Sequence, residues 1–327
     1  MIFRVAIIGA GNLGSRHLQA LKLTKKDISI IVCEPNEQAK KTARERYDQY
    51  PENSKVHTIE FINDYKDLPT EQDLVIIATN AHERFRIAQW LVENLCIKYL
   101  LLEKVVFQKI SDFGIFSECL KKKNVKAWVN CPRRMFQFYK NIKEQVSTFE
   151  PIDMTVNGSL WGMGCNTIHM LDLYEYITGS QQYEYDNSFL EPGYFDSKRA
   201  GYYEFSGKVI FRTDRGNLIV KCVKEGDIPL TITLESDSFY VEIDESSRRA
   251  VIQKGSSTSD RQVEEASVDI NYQSNLTNIV VEQLIETGEC ELTLYEDSVD
   301  LHKVLLSCFL DHINKYSDVE VCTCPIT

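Results

Sequence analysis

Three glycines at G-x-G-x-x-G spacing follow a short apolar run, residues 5–8, near the start of the chain. At this spacing the first glycine permits a sharp turn out of a β-strand, the second lets bare backbone approach a pyrophosphate, and the third lets the next helix pack closely on the sheet. A helix predicted over 13–23 would direct its unpaired N–H groups and positive dipole end at the phosphates. The loop residues predicted to bind a dinucleotide are Gly9, Gly11, Asn12, Leu13 and Gly14.

An acidic residue stands where the second predicted strand ends, twenty residues after the third glycine. Glu34 closes the apolar run 28–33, which is typical of a strand buried on both faces. A carboxylate here accepts hydrogen bonds from ribose hydroxyls and repels a 2′-phosphate. No arginine at 35–37 offsets that repulsion, although Lys40 or Lys41 could swing back towards it. The sequence therefore favours NAD over NADP, and the alternative, a tight βα turn without a ligand, does not explain the acid.

Strand and helix patterns alternate through the first third of the chain, which predicts a doubly wound parallel sheet of the Rossmann α/β type. The predicted strands are 2–8, 28–33, 55–61, 73–78, 98–102 and 126–130, and the predicted helices are 13–23, 36–49, 84–95 and 111–123. The fourth strand ends in small polar residues at the carboxyl edge, where ligands bind in this architecture. We therefore expect Thr79 and Asn80 to contact the cofactor.

The pattern changes after about residue 130 and predicts an α+β domain with a large, open, mainly antiparallel sheet. Helices are predicted at 135–147, 166–178, 275–287 and 296–315, and strands at 207–213, 217–223, 229–235, 239–244 and 249–253. Asp214-Arg215-Gly216 is predicted as a hairpin turn and 256–260 as an exposed loop. We divide the chain into a Rossmann domain, 1–127, and a substrate-binding domain, 128–327. The outer face of the sheet needs a cover, which favours a homodimer or homotetramer.

Composition narrows the class of protein. The chain has 327 residues, 43% of them hydrophobic, a formal net charge of −11 and ten cysteines. The acidic balance argues against nucleic-acid binding, and the absence of an eighteen-residue apolar run or a signal peptide predicts a soluble, cytoplasmic protein without a membrane contact. Without a C-x-x-C pair the thiols are expected to be reduced, and Cys322 and Cys324 lack the further ligands of a metal site. Small molecules are therefore the expected ligands.

A charged pair, Glu103-Lys104, ends the fifth predicted strand at the same carboxyl edge. An amine here can exchange a proton with a substrate hydroxyl while hydride moves to or from a nicotinamide ring. A surface ion pair at a strand end is the alternative for these two residues. His169 and Asp172 lie three residues apart and share a helix face, where an aspartate can fix the tautomer of an imidazole. A buried structural histidine is the alternative.

A basic and aromatic cluster, 130–139, follows the last Rossmann strand. Guanidinium groups at Arg133 or Arg134, with Tyr139, could hold an anionic or polyhydroxylated substrate. Alternatively, one arginine only ties the domains together, and the spacing does not choose between them.

The order of the motifs at 9–14, 103–104, 130–134 and 169–172 resembles the Gfo/Idh/MocA oxidoreductases over essentially the whole chain. The resemblance implies an NAD(P)-dependent redox reaction at a sugar, nucleotide-sugar or cyclitol carbon. It matches Lys104 to the lysine of a Glu-Lys-Pro motif and His169 to a helix-borne histidine, both candidates for proton transfer. Glu103, His17 and His82 fall near the cofactor in this comparison, with helix packing and a loop position as alternatives for the histidines.

The chain departs from the family pattern at three positions. Val105 stands in place of the proline, Thr167 in place of a glycine, and Cys165 in place of an aspartate that orients the substrate hydroxyl. A thiol cannot replace a carboxylate in that role. With Asn166 and Asp172, Cys165 is nevertheless expected to face the substrate.

Two other function classes remain open. A dinucleotide-binding sensor or assembly subunit without catalysis fits the missing aspartate, whereas the retained lysine and histidine count against it. An epimerase or lyase that recycles bound NAD would show no net redox change. The departures from the family pattern suggest a subgroup of the family, and the resemblance to that subgroup suggests surface-glycan biosynthesis as the pathway in which the protein acts.

Overall fold

The computed structural model describes residues 2–146, 150–255 and 262–327, which form two compact units. The first unit contains the chain up to Phe107, Ser111–Pro132 and Asn271–Ser298. The second contains the described residues of Gln108–Ile110, Arg133–Ile270 and Val299–Thr327. The loop predicted at 256–260 lies outside the described residues.

Strands and helices are numbered in chain order. The strands are β1 (Phe3–Ile8), β2 (Ile28–Cys33), β3 (Val56–Ile62), β4 (Glu71–Ile77), β5 (Cys96–Leu102), β6 (Lys126–Val129), β7 (Asp153–Ser159), β8 (Tyr183–Leu190), β9 (Phe195–Asp196), β10 (Tyr203–Glu204), β11 (Gly207–Thr213), β12 (Gly216–Val223), β13 (Thr231–Glu235), β14 (Phe239–Asp244), β15 (Arg249–Lys254), β16 (Gln262–Ser267) and β17 (Thr293–Leu294). The helices are α1 (Gly14–Leu21), α2 (Glu37–Tyr47), α3 (Ala81–Asn94), α4 (Ile110–Lys123), α5 (Gln137–Gln145), α6 (Met163–Thr178), α7 (Thr277–Thr287) and α8 (Tyr295–Asn314).

The sheet of the first unit runs in the order β17-β6-β5-β4-β1-β2-β3. From β1 the chain winds outwards in both directions, and all neighbours pair in parallel except β17 with β6. The doubly wound Rossmann sheet predicted from the sequence is therefore confirmed. Residues 5–8, 74–77 and 100–102 are buried, because a central parallel strand is covered on both faces.

The segment Asn271–Ser298 groups with the first unit, whereas the division at residue 127 placed it in the second domain. It supplies the edge strand β17 and the helix α7, which packs against α1. A hydrogen bond of 2.8 Å joins His17 Nδ1 of α1 to Thr277 Oγ1 of α7. Tertiary packing returns this late segment to the first unit.

The second unit holds an eight-stranded sheet in the order β16-β15-β14-β13-β7-β12-β11-β8. Every neighbouring pair is antiparallel except β7 with β12, which confirms the predicted mainly antiparallel sheet. The hairpin of β11 and β12 turns at Asp214 and Arg215, as predicted. Gly216 is required there because it adopts φ +123° and a Cβ on it would lie 2.2 Å from the Ile152 carbonyl oxygen.

Several strands have no counterpart in the sequence prediction, among them β7, β8, β16 and β17. The most important is β7, which lies between β12 and β13 in the sheet. Only Met154 and Val156 of this strand are buried apolar side chains, and its other positions are polar residues or glycine. Two apolar residues are too short an alternation to identify a strand from the sequence alone.

None of the ten cysteines, all of which lie in the described ranges, forms a disulfide bond in the structure. Within the described ranges, no helix combines the length and apolar character needed to cross a lipid bilayer. The same ranges contain no group of three or more His, Cys, Asp or Glu side chains that could hold a metal ion.

Candidate functional site

The glycine loop joins β1 to α1 as the motif requires. Gly9 has φ +89°, a region that only glycine adopts readily. A Cβ on Gly14 would lie 1.8 Å from the Gly9 carbonyl oxygen, whereas a Cβ on Gly11 would meet nothing within 4 Å. The first and third glycines are thus needed for chain geometry, and the second leaves the backbone open to a ligand.

The N-terminus of α1 is suited to an anion. Leu13 precedes the helix, and no hydrogen bond from a side chain caps it in the described part of the chain. Uncapped N–H groups and the helix dipole attract phosphate oxygens. Arg46 of α2 adds a positive charge close by, because its guanidinium donates to the Asn12 carbonyl oxygen at 3.1 Å.

A cavity of about 470 Å³ opens at the carboxyl edge of the first sheet, beside the glycine loop. Five of the residues predicted to bind the cofactor line it, namely Gly9, Gly11, Glu34, Thr79 and Asn80. Asn63, Asp64 and Tyr65 form part of its wall but were not predicted from the sequence. They follow β3, the next strand at this edge, and that position was a usable signal.

Glu34 is 9% exposed and lies at the end of β2. Its carboxylate accepts hydrogen bonds from the backbone N–H of Ala10 at 2.8 Å and of Asn36 at 2.9 Å. The carboxylate is thus held against the glycine loop and keeps lone pairs for further donors. Lys40 does not reach back to Glu34, since its ammonium bonds Glu37 at 2.7 Å and also contacts the Asn63 side chain.

A buried arginine that sequence reasoning missed lies under this edge. Arg84 of α3 is 2% exposed and donates to the carbonyl oxygens of Thr79, Glu103 and Val105. In the sequence it occupies the apolar stripe of α3, four residues before the buried Ala88, and a cation on a buried helix face was the signal. His82, by contrast, is exposed and lies outside the cavity lining.

Glu103 is buried at the end of β5 and takes part in a polar network inside the first unit. It accepts from His17 Nε2 at 2.9 Å and from Asn130 Nδ2 at 2.6 Å. Gln273 links Asn130 to Thr277 through bonds of 2.7 and 2.9 Å. Burial alone would raise the pKa of Glu103, but the interactions with His17, Asn130 and Arg84 together outweigh it and lower that pKa. His17 and Glu103 are therefore structural partners.

Lys104 follows immediately and is half-buried at the carboxyl edge of the first sheet. The Lys104–Val105 peptide bond is cis. Of the two catalytic candidates, Lys104 belongs to the first unit, and His169 lies on α6 of the second unit.

In the second unit, Cys165 and Asn166 lie in the first turn of α6, and His169 is half-buried one turn further on. The Asn166 amide donates to the Trp161 carbonyl oxygen at 2.7 Å. The carboxylate of Glu204 accepts from the Gly164 N–H at 2.6 Å. A carboxylate from β10 therefore already occupies the N-terminus of α6.

The aspartate and the arginines of the predicted substrate site form ion pairs. Arg134 contacts Asp172 at 3.0 Å and Glu175 at 2.8 Å. Asp172 is fully buried, so its ion pair with Arg134 holds the chain around residue 134 against α6. The sequence pattern predicted that Asp172 orients the imidazole of His169, and in the structure Asp172 has Arg134 as an ion-pair partner.

Arg133 and Tyr139 converge on Glu245. Arg133 donates two parallel hydrogen bonds, at 2.8 and 2.6 Å, and the Tyr139 hydroxyl donates a third at 2.7 Å. Burial raises the pKa of Tyr139, and the charge of Glu245 raises it further. Burial opposes ionisation of Glu245, but the charge and hydrogen bonds of Arg133 outweigh it and lower the pKa. The triad is a cross-link within the second unit.

The chain was compared with solved structures. An oxidoreductase from Agrobacterium radiobacter in complex with NAD+, L-tartaric acid and magnesium aligns over 97% of this chain and 98% of its own, with a TM-score of 0.74 and 13% identity. UDP-N-acetylglucosamine 3-dehydrogenase GnnA from Acidithiobacillus ferrooxidans aligns over 94% of this chain and 96% of its own, with a TM-score of 0.68 and 14% identity. The transcriptional regulator Gal80p from Kluyveromyces lactis aligns over 97% of this chain and 91% of its own, with a TM-score of 0.69 and 14% identity. At such identities the likeness establishes a shared fold.

No curated protein sequence matches the chain. A family model described as the oxidoreductase family with an NAD-binding Rossmann fold, GFO_IDH_MocA, matches residues 3–131. This range contains the glycine loop, the cavity lining, Glu103 and Lys104. Residues 3–131 therefore match the Gfo/Idh/MocA oxidoreductase family model, the family that the motifs of the sequence resemble.

Proposed function

We propose that the protein is an NAD(P)-dependent oxidoreductase that acts on a hydroxyl or keto carbon of a sugar, nucleotide sugar or cyclitol. The observation that carries the proposal is the cavity at the glycine loop, lined by Gly11 and Glu34 within the range that matches the oxidoreductase family. When bound, the nicotinamide ring supplies the hydride acceptor or donor.

The residues present fit a dinucleotide. The backbone at Gly11 is open, the N-terminus of α1 would receive the diphosphate, and Glu34 would accept from the ribose hydroxyls. We infer a preference for NAD, because Glu34 repels a 2′-phosphate while Lys40 is held by Glu37 and Asn63. Direct titration tests this preference: NADH should bind more tightly than NADPH, and Glu34→Ala should narrow the difference.

We assign the proton-transfer role to Lys104, with His169 as a positioning or relay residue. Lys104 lies at the edge of the sheet where the cavity opens, on the loop after β5. Its amine would take the proton of the substrate hydroxyl during oxidation and return it during reduction. His169 lies on α6, one turn from Cys165 and Asn166, which we expect to face the substrate.

The proposed substrate class is supported by the family model that matches residues 3–131 and by one structural neighbour, which is a UDP-N-acetylglucosamine 3-dehydrogenase. Arg133, Arg134 and Tyr139 are engaged with acidic partners, so the clamp predicted for them requires these ion pairs to be exchanged for substrate contacts. Surface-glycan biosynthesis as the setting stays a prediction.

The decisive experiment separates binding from turnover. Purified protein is titrated with NADH and then incubated with NAD and a panel of sugars and nucleotide sugars, with the absorbance of reduced nicotinamide as readout. Lys104→Ala should abolish turnover and leave NADH affinity nearly unchanged, while the exposed Lys109→Ala should leave both unchanged. Absence of any NADH binding would refute the proposal, and full turnover by Lys104→Ala would remove that lysine from the mechanism.

A second candidate is a nucleotide-binding sensor without catalysis, favoured by the structural likeness to a transcriptional regulator. It predicts NADH binding without reduction of any substrate in the panel. A third, an enzyme that recycles its cofactor, predicts NAD(H) that copurifies and is released by denaturation.

We also propose a homodimer or homotetramer through the second sheet. Along β12, buried Leu218 and Val220 alternate with more exposed Ile219 and Val223, while α6 packs on this strand. Sedimentation velocity should detect a dimer or tetramer that Ile219→Glu dissociates. A monomeric wild-type protein would refute this arrangement.

A further inference from the structure

One guanidinium group bonds the backbone on both sides of Lys104. Arg84 Nη1 donates to the Glu103 carbonyl oxygen at 2.6 Å and to the Val105 carbonyl oxygen, the residues immediately before and after the lysine. Its Nη2 donates to the Thr79 carbonyl oxygen. The same side chain therefore joins the loop that follows β4 to the loop that follows β5, and both loops lie at the carboxyl edge of the first sheet.

The arrangement uses what distinguishes arginine from other residues. Its planar fork presents several N–H donors in fixed directions and stays protonated when buried. Arg84 is 2% exposed, a costly place for a charge, and a leucine would satisfy the apolar face of α3 as well. A neutral aliphatic side chain has no donor for the carbonyl oxygens at the ends of two separate strands, and an ammonium group places its three donors on one rotatable atom, without the fixed directions of the guanidinium fork.

We propose that Arg84 is a positioning residue that fixes the direction in which Lys104 leaves the backbone and couples that loop to Thr79 of the cofactor cavity. The inference rests on the proposed function, in which Lys104 transfers the proton. Because the backbone carbonyls on either side of Lys104 are bonded to one rigid group, rotation of the intervening peptide planes is restricted. A misplacement of about 1 Å in a reacting group is enough to lower kcat about 100-fold.

The test compares Arg84→Gln and Arg84→Lys with the wild type and with Arg44→Gln, an exposed arginine of α2 outside the cavity lining. The first readout is hydrogen–deuterium exchange of peptides that cover residues 103–107, which needs no substrate. We expect both Arg84 variants to exchange there about tenfold faster, since each loses the fork. Arg44→Gln should exchange as the wild type does.

The second readout is kinetic. With any substrate that the panel identifies, kcat should fall about 100-fold in both Arg84 variants, with KM and the Kd for NADH changed less than about threefold. Wild-type exchange in either variant, or wild-type kcat in Arg84→Lys, would overturn the proposal. If neither variant folds, Arg84 acts in the fold and the positioning role is likewise overturned. Loss of the proposed function itself would appear separately, as a wild-type protein that does not bind NADH.

Discussion

The cross-link formed by Arg133, Glu245 and Tyr139 makes a quantitative prediction about stability. The side chains of Arg133 and Glu245 are 17% and 14% exposed, and Glu245 accepts three hydrogen bonds. Glu245→Gln preserves the shape of the side chain but removes the negative charge that Arg133 contacts in this pair. Removing one partner of a buried ion pair costs about 3–5 kcal/mol, and the residual exposure of this pair places the expected loss near the lower end, about 3 kcal/mol.

The assay is urea unfolding at neutral pH, followed by far-UV circular dichroism. Glu242→Gln is the matched control, because Glu242 is exposed on β14 and accepts a hydroxyl hydrogen bond of 3.0 Å from Tyr240. It should change the free energy of unfolding by less than about 0.5 kcal/mol. A similarly small change in Glu245→Gln would refute the reasoning.

A double variant tests the origin of the loss. Replacing both partners with apolar side chains, as in Arg133→Met with Glu245→Leu, removes both charges of the pair. Such replacements are often neutral or stabilising. The double variant should therefore be more stable than Glu245→Gln, and its NADH affinity should equal that of the wild type, since the cavity is lined by first-unit residues. Equal losses in the single and double variants would assign the effect to packing.

Three further predictions concern the first unit. Gly14→Ala places a methyl group 1.8 Å from the Gly9 carbonyl oxygen, so calorimetry should detect no NADH binding and the unfolding free energy should fall by about 3 kcal/mol; retained affinity would contradict the loop geometry. Burial raises the pKa of Cys33 to about 12, so iodoacetamide at mildly alkaline pH should label it only in denaturant, as mass spectrometry can check. Burial opposes ionisation of Glu103, but the interactions with His17, Asn130 and Arg84 lower its pKa, so the ionised carboxylate stabilises the fold above its ordinary pKa of 4.5 and this contribution is lost as the pH falls below that value. The difference in unfolding free energy between the wild type and Glu103→Gln should therefore shrink on acidification, and a constant difference would refute this.

The sequence predicted the Rossmann half closely because its signals are local. The glycine loop requires particular residues at particular backbone positions, and a strand buried on both faces must be apolar throughout. These requirements placed Gly9, Gly11 and Glu34 at the cavity before any tertiary contact was known. The central strand β7 of the second sheet escaped prediction, because polar residues separate its two buried apolar ones.

Pairing between distant side chains was decided by the tertiary structure. Arg133 and Glu245 are 112 residues apart, and Arg134 and Asp172 are 38 apart, so no local pattern connects them. From the sequence, substrate binding and a structural tie remained alternatives for these arginines, since a guanidinium group binds a substrate anion and a protein carboxylate by the same chemistry.

The sequence by itself determined the glycine turn after β1 and the parallel strands whose carboxyl ends share one edge of the first sheet. It could do so because the steric requirements of the backbone and the hydrophobic periodicity are encoded residue by residue. The tertiary structure decided which charged groups meet: that Glu103 is held by His17 and that Arg84 holds the backbone on both sides of Lys104. The reason is physical, since a buried charge must find partners wherever the fold brings them, and their separation along the chain does not limit the choice.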